Sequence, residues 1–157
     1  MTPRKNQLSR AIALALLAGG VPACGGVRER EDVQYVEAHA TQLYNRGADA
    51  LANGRYPRAL RFFEEVERQH PYSSWARRAM LMESYTHYQA QAYDDSIEDA
   101  QRFISLHPGN ESAPYAYYLI AICHFERIMD VGRDQGTTER ALAALNDVVR
   151  RYPDSLY

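Results

Sequence analysis

Residues 47–71 read GADALANGRYPRALRFFEEVERQHP, and the fold follows from how this stretch is divided. Asn53-Gly54 is a helix-ending pair, because glycine takes the left-handed backbone conformation that closes a helix. Pro57 suits the first turn of a new helix, where its missing N–H costs nothing. Pro71 then stops that helix, since the residue before a proline is driven out of the helical region. Inside it, Ala59, Phe63 and Val66 are spaced four and three apart and share one face. Gly47 stands twelve residues before Ala59, on the preceding helix. Small residues at both places let two helix axes approach closely, so Gly47 is expected to face Ala59. The stretch is an antiparallel helix pair.

The same signals recur downstream. His70-Pro71, His107-Pro108 and Tyr152-Pro153 each end a segment, and a small residue stands twelve before each proline: Ala59, Ser96 and Ala141. Twelve before Ser96 is Ser84, placed as Gly47 is to Ala59, while Tyr56 and Tyr93 repeat at 37 residues like Pro71 and Pro108. Leu145 and Val148 follow Ala141 as Phe63 and Val66 follow Ala59. Asp95-x-x-Glu98 reads as a capping box, Ser112 with Pro114 opens a helix, and Thr137 or Thr138 caps another. Helices are therefore expected near 33–53, 56–69, 74–90, 94–106, 113–129 and 138–151, with no segment alternating as a strand does. The fold class is all-α, a solenoid of about three antiparallel helix pairs.

This pattern resembles the tetratricopeptide repeat: a small residue, Gly-x-Tyr at the turn, Ala-x-x-x-Phe, then proline. Leu43, Gly47, Gly54, Tyr56, Ala59, Phe63 and Pro71 carry it in the first repeat, with Arg46 where leucine is usual and Ala50 where an aromatic is usual. The repeats fall at about 40–73, 77–110 and 114–155. The third holds an insertion, residues 129–136, so that Ala121 lies 20 residues before Ala141.

The two ends bound the compartment. Arg4, Lys5 and Arg10 precede an apolar run at 11–17, too short to span a bilayer but the size of a signal-peptide core. Val21-Pro22-Ala23-Cys24 resembles the bacterial lipobox, Pro22 being the departure, with Cys24 as the lipid-bearing residue. Gly25 after it resembles lipoproteins passed to the outer membrane. A plain secretory leader with a chance cysteine is the alternative. The expected organisation is a leader at 1–23, a lipidated cysteine and linker at 24–38, and helical repeats at 39–157. Removing 1–23 takes three of the 18 basic residues and none of the 20 acidic ones, for a net charge of −5. Such a domain is a poor binder of nucleic acid or anionic lipid by charge alone.

Longer strings narrow the family. Glu64-Glu65-Val66-Glu67-Arg68-Gln69-His70-Pro71-Tyr72, Tyr115-Ala116-Tyr117-Tyr118, Val131-Gly132-Arg133-Asp134-Gln135 and Arg151-Tyr152-Pro153-Asp154-Ser155, with the lipobox, are similar to the outer-membrane assembly lipoproteins of the BamD (ComL) family. The resemblance spans 35–157. It implies a lipid-anchored scaffold on the periplasmic side of the outer membrane, with no enzyme activity and no cofactor. The implied partners are the barrel insertase and accessory lipoproteins of the BAM complex, and unfolded outer-membrane proteins. Another periplasmic repeat lipoprotein, a pilotin or a Tol-system adaptor, is the alternative. That family continues through further repeats, so the chain is expected to be C-terminally truncated.

Chemistry finds little footing. The histidines His70 and His107, and likewise His87 and His124, recur at the repeat period, which marks structural equivalence rather than a metal site. Asp130-x-Gly132-x-Asp134 lacks the turn glycine and closing glutamate of a calcium loop. No phosphate loop, nucleophile elbow or H-E-x-x-H is present. Glu64, Glu65 and Glu67 read as a solvated face. Cys123, in an apolar run, reads as a small buried hydrophobe, with His124 pointing about 100° away.

Tyrosine is abundant, 12 residues against four phenylalanines and one tryptophan. On the first helix of each pair, the concave slots hold Tyr44 and Leu51; Arg78, Leu81, Tyr85 and Tyr88; and Tyr115, Tyr118 and Phe125. The stripe reads as a peptide- or partner-binding groove, or else as rings packed between helices. Arg78 is placed to meet a client carboxylate or to stay solvated.

Lipidation gives the first test. One acyl chain anchors marginally and two or more anchor stably, at about 0.8 kcal/mol per buried CH₂. Cys24→Ala is expected to release the mature chain from membranes, and intact mass should show acyl groups on the parent; an unmodified chain starting at residue 24 overturns this.

Overall fold

A computed structural model describes residues 25–128 and 135–157, with side chains from residue 39 onward. Among these residues the chain forms six helices and no strand: α1 (Gly25–Ala52), α2 (Tyr56–Gln69), α3 (Ser74–Gln89), α4 (Tyr93–Leu106), α5 (Ala113–Glu126) and α6 (Gly136–Arg151). Each helix packs on the next, and the first helices also touch in series, α1 on α3 and α3 on α5. The result is the expected solenoid.

The second helices carry the repeat most plainly. α2 buries Ala59, Phe63 and Val66, and α4 buries Ser96, Ala100 and Phe103, at the same spacing. Gly47 lies directly under Phe63: a Cβ at that position would meet ring atoms Cε1, Cδ1 and Cζ at 2.6, 2.9 and 3.0 Å. In the second pair the Ser84 hydroxyl donates to the Ser96 carbonyl at 2.8 Å and lies 3.3 Å from the Ser96 hydroxyl. Cys123, fully buried, reaches the same hydroxyl at 3.3 Å, so one small side chain joins α3, α4 and α5. Burial pushes the Cys123 thiol up, which keeps it protonated and unreactive.

The turns repeat as exactly as the helices do. Gly54 has φ +67, with its N–H on Leu51 O and that of Arg55 on Ala50 O, both 2.9 Å. Thirty-seven residues later Gln91 has φ 61, with its N–H on Tyr88 O and that of Ala92 on His87 O, again 2.9 Å. A glutamine thus holds a left-handed position that glycine would hold without strain. His70, His107 and Tyr152 end α2, α4 and α6 alike, each N–H bonded at 2.9 Å to the carbonyl four residues back.

Several expectations are corrected. α1 begins at Gly25, eight residues ahead of the expected start and through the stretch taken as a linker; no proline interrupts it. α5 ends at Glu126 rather than 129. Asp95 is not a cap, because α4 starts at Tyr93 with Ala92 before it; Asp94 and Asp95 instead sit in the first turn, where the helix dipole favours them. Thr137 and Thr138 lie inside α6, which starts at Gly136. Ser112 and Pro114 do open α5 as expected, though without a side-chain capping bond; Ser73 caps α3, accepting from the Ala76 N–H at 3.0 Å. Leu145 is exposed along with Leu142 and Val149, so only Ala141 and Val148 of α6 are core. The reason is that α6 packs on α5 alone.

Because Phe63 is itself fully buried, its ring has little room to yield to a methyl group at position 47. Gly47→Ala is expected to cost about 1–3 kcal/mol by overpacking, read as a lower thermal midpoint. Adding Phe63→Leu should restore part of the loss, since neighbouring substitutions couple.

Candidate functional site

The first helices line one side of the solenoid, and their aromatic residues meet there in two groups. On α1 and α3, the Tyr44 ring lies 5.5 Å from Phe63 and 5.0 Å from Trp75, and the Arg78 guanidinium stands 4.9 Å over the Trp75 ring. Burial raises the Tyr44 hydroxyl's pKa, and the Arg78 charge offsets part of that rise. A cavity of about 180 Å³ opens beside them, lined by Tyr44, Arg77, Arg78 and Leu81 with Asn110 and Ser112 from the turn before α5.

The second group spans α3 and α5. Tyr85 and Tyr88 are 6.3 Å apart, Tyr88 and Tyr93 6.2 Å, and Tyr115 and Tyr118 6.3 Å, the last pair stacked at 23°. Tyr157 lies 5.0 Å from Tyr115 and 5.7 Å from Tyr118. Tyr115 is half-buried, and burial followed by the neighbouring tyrosines pushes its hydroxyl well above the usual range. Burial likewise raises the Tyr88 hydroxyl's pKa, so these two phenols stay protonated and this group presents hydroxyls and ring faces.

Not every residue expected here takes part. Leu81 is core and reaches the site only as part of the cavity wall beside Arg78, and Leu51 packs against the core of the first pair. Tyr44, Tyr85, Tyr88 and Tyr115 are half-buried against core residues and still show an edge to the groove. Phe125 is exposed and makes no ring contact among the described residues. Trp75, Tyr93 and Tyr157 belong to the groups although the helix-face spacing did not select them; Trp75, one residue into α3, was the legible omission. Cys24 and residues 129–134, which include the Asp130–Asp134 segment rejected above as a calcium loop and most of the insertion, lie outside the described residues. Among the described residues no cluster of three or more metal-ligating side chains exists.

A different polar constellation lies between the helix pairs. The Arg102 guanidinium on α4 donates to both Glu67 oxygens on α2, at 2.8 and 3.2 Å, and to Glu83 Oε2 on α3 at 2.7 Å. Asp99 stands 3.8 Å from Arg102 and 3.6 Å from His87. Glu67 is therefore a bridging residue, not part of a solvated face as Glu64 is. Glu83 is only 5% exposed, and its Oε1 has no hydrogen-bond partner. Burial foremost, then the Glu67 charge, pushes its pKa up to about 9. One arginine cannot neutralise three carboxylates, so one of them stays protonated.

The fold is a tetratricopeptide-like solenoid whose first helices carry a face of half-buried tyrosines. Residues 36–157 match the Outer membrane lipoprotein (YfiO) family, and the chain belongs to that family. It is 53% identical to the outer membrane protein assembly factor BamD of Caulobacter vibrioides over 93% of its own length and 48% of the relative's. To the protein of the same name from Rickettsia prowazekii it is 31% identical, over 96% of the chain and 59% of the relative; for Pasteurella multocida the figures are 27%, 92% and 57%. The chain spans about half the length of the curated relatives it matches.

The buried carboxylate sets a pH dependence with a definite sign. A carboxyl group whose folded pKa lies above its unfolded value binds more protons in the native state, so its contribution to stability is full below pH 4.5 and is lost as pH rises towards 9. The slope is at most about 1.4 kcal/mol per pH unit. Glu83→Gln, which mimics the neutral acid, should therefore flatten the fall in thermal midpoint across that window. An unchanged pH profile would show that Glu83 ionises freely.

Proposed function

We propose that this chain is a lipid-anchored periplasmic scaffold in the assembly of outer-membrane β-barrel proteins, and that its tyrosine groove holds an extended segment of an unfolded client. The assembly role rests on relatives named for that activity across several species. Anchoring through Cys24 fits a chain in which, among the described residues, no helix is long and apolar enough to cross a membrane. The barrel insertase and accessory lipoproteins are the partners this reading implies. It assigns the chain no catalytic step.

The observation that carries the groove is the gathering of two half-buried tyrosine pairs, Tyr85 with Tyr88 on α3 and Tyr115 with Tyr118 on α5, of which Tyr85, Tyr88 and Tyr115 pack against one core cluster. Tyrosine suits a client of varied sequence: it offers large area, few rotatable bonds and a hydroxyl for backbone groups. At the groove's other end, Arg78, held over Trp75, presents its charge to a client carboxylate.

Anchoring tyrosines cost about 2 kcal/mol or more when cut to alanine. Tyr85→Ala with Tyr118→Ala should weaken binding of a fluorescent peptide from the terminal strand of a barrel protein by well over about tenfold. Helical circular dichroism of the same variant must show an intact melt. Proportionate loss of melting and affinity would make these rings core; unchanged affinity in a folded variant would place the client elsewhere.

A further inference from the structure

We propose that the outer side of the first helix pair, away from α3, is a docking groove for an acidic amphipathic helix of a partner protein. The groove runs between α1 and α2. One cavity of about 480 Å³ is lined by Leu43, Arg58, Arg61, Phe62 and Arg68, with Glu64 and Glu65. A second, of about 140 Å³, is lined by Arg46, Asp49, Ala50, Asn53, Arg55, Arg58 and Phe62. They share Arg58 and Phe62 and so form one channel, and no residue of α3 borders either.

Its shape is that of a helix seat. Leu43, Arg46, Ala50 and Asn53 are spaced three and four apart and make one stripe along α1. Arg58, Phe62 and Glu65 make the facing stripe on α2. On the opposite side of the same pair α3 packs against both helices. The open side thus offers a helix two ridges and an apolar floor of Leu43, Ala50 and Phe62.

The charge selects the occupant. Five arginines line the channel against three carboxylates, in a chain whose net charge is −2. The Arg68 guanidinium is held by Glu65 at 2.6 Å. Arg46, Arg55 and Arg61 have no carboxylate partner among the described residues, and Arg58 only stacks on the Phe62 ring at 5.6 Å. Elsewhere Arg102, Arg127 and Arg150 are paired with carboxylates, while Arg78 and Arg151 lie over single rings; here the four arginines without a carboxylate partner line one channel together. Arginine forks unmatched on one rim fit carboxylates spaced along a helix. A second copy of the chain would set this rim against itself and is disfavoured. A bilayer surface is too flat to reach the floor between the two helices.

The test uses the purified chain and two designed fluorescent peptides with leucines at i, i+3, i+4 and i+7, one carrying glutamates elsewhere and the other lysines. The glutamate peptide should bind saturably and weaken with salt. Arg58→Glu with Arg61→Glu should lose at least about tenfold for it and gain for the lysine peptide, while Phe62→Ala weakens it. If that charge-reversed pair fails to fold by circular dichroism, Arg46→Glu with Arg55→Glu serves. No saturable binding, affinity indifferent to reversal, or equal loss in the Tyr85→Ala, Tyr118→Ala variant would overturn the proposal. So would arginine-dependent binding of phosphatidylglycerol vesicles in place of the peptide. Because the tyrosine groove lies on other residues, failure here leaves the client-binding reading standing.

Discussion

Close approach of paired helices at small residues is the constraint on which the rest of the structure depends. With hydrogen at position 47, the Phe63 ring packs close against α1, and the first core closes around it. In the second pair serines take the same places, and their hydroxyls bond across the gap, which removes the cost of burying them. Larger residues at these places would force the pairs apart, and the first helices would no longer lie side by side. The tyrosine groove exists because α1, α3 and α5 are held in that series.

The pairs are joined to one another by more than apolar packing. Arg102 ties α4 to α2 and α3 through Glu67 and Glu83, and Cys123 ties α5 to the Ser84–Ser96 contact. A buried carboxyl group with an unbonded oxygen is an expensive element, and a leucine there would pack more cheaply. What it provides is a fixed register between consecutive pairs, because a planar guanidinium accepts its partners in one geometry only.

Two surfaces of the solenoid divide the chemistry. Neutral, half-buried tyrosines line the first helices, while unmatched arginines line the outer side of α1 and α2. A surface of ring faces and hydroxyls tolerates varied sequence, whereas a charged rim selects by sign. The two proposed binding roles rest on this division.

The sequence by itself determined the helix pairs, their order and the small residues between them, because these follow from local backbone preferences and a fixed period. Gly54, Pro57 and Pro71 act within a few residues of where they stand, and the twelve-residue spacing survives any detail of packing. Cys123 was legible as a buried thiol for the same reason, lying on an unbroken apolar face. Which tyrosines are core and which show an edge was decided only by the tertiary structure. Leu81 and Tyr85 share a helix stripe, yet one is buried and the other half-exposed, since that depends on the neighbouring pair. Glu67 looked solvated because its partner Arg102 lies 35 residues away, on a helix two elements later. No local period encodes such a bond; it exists only once the pairs have stacked.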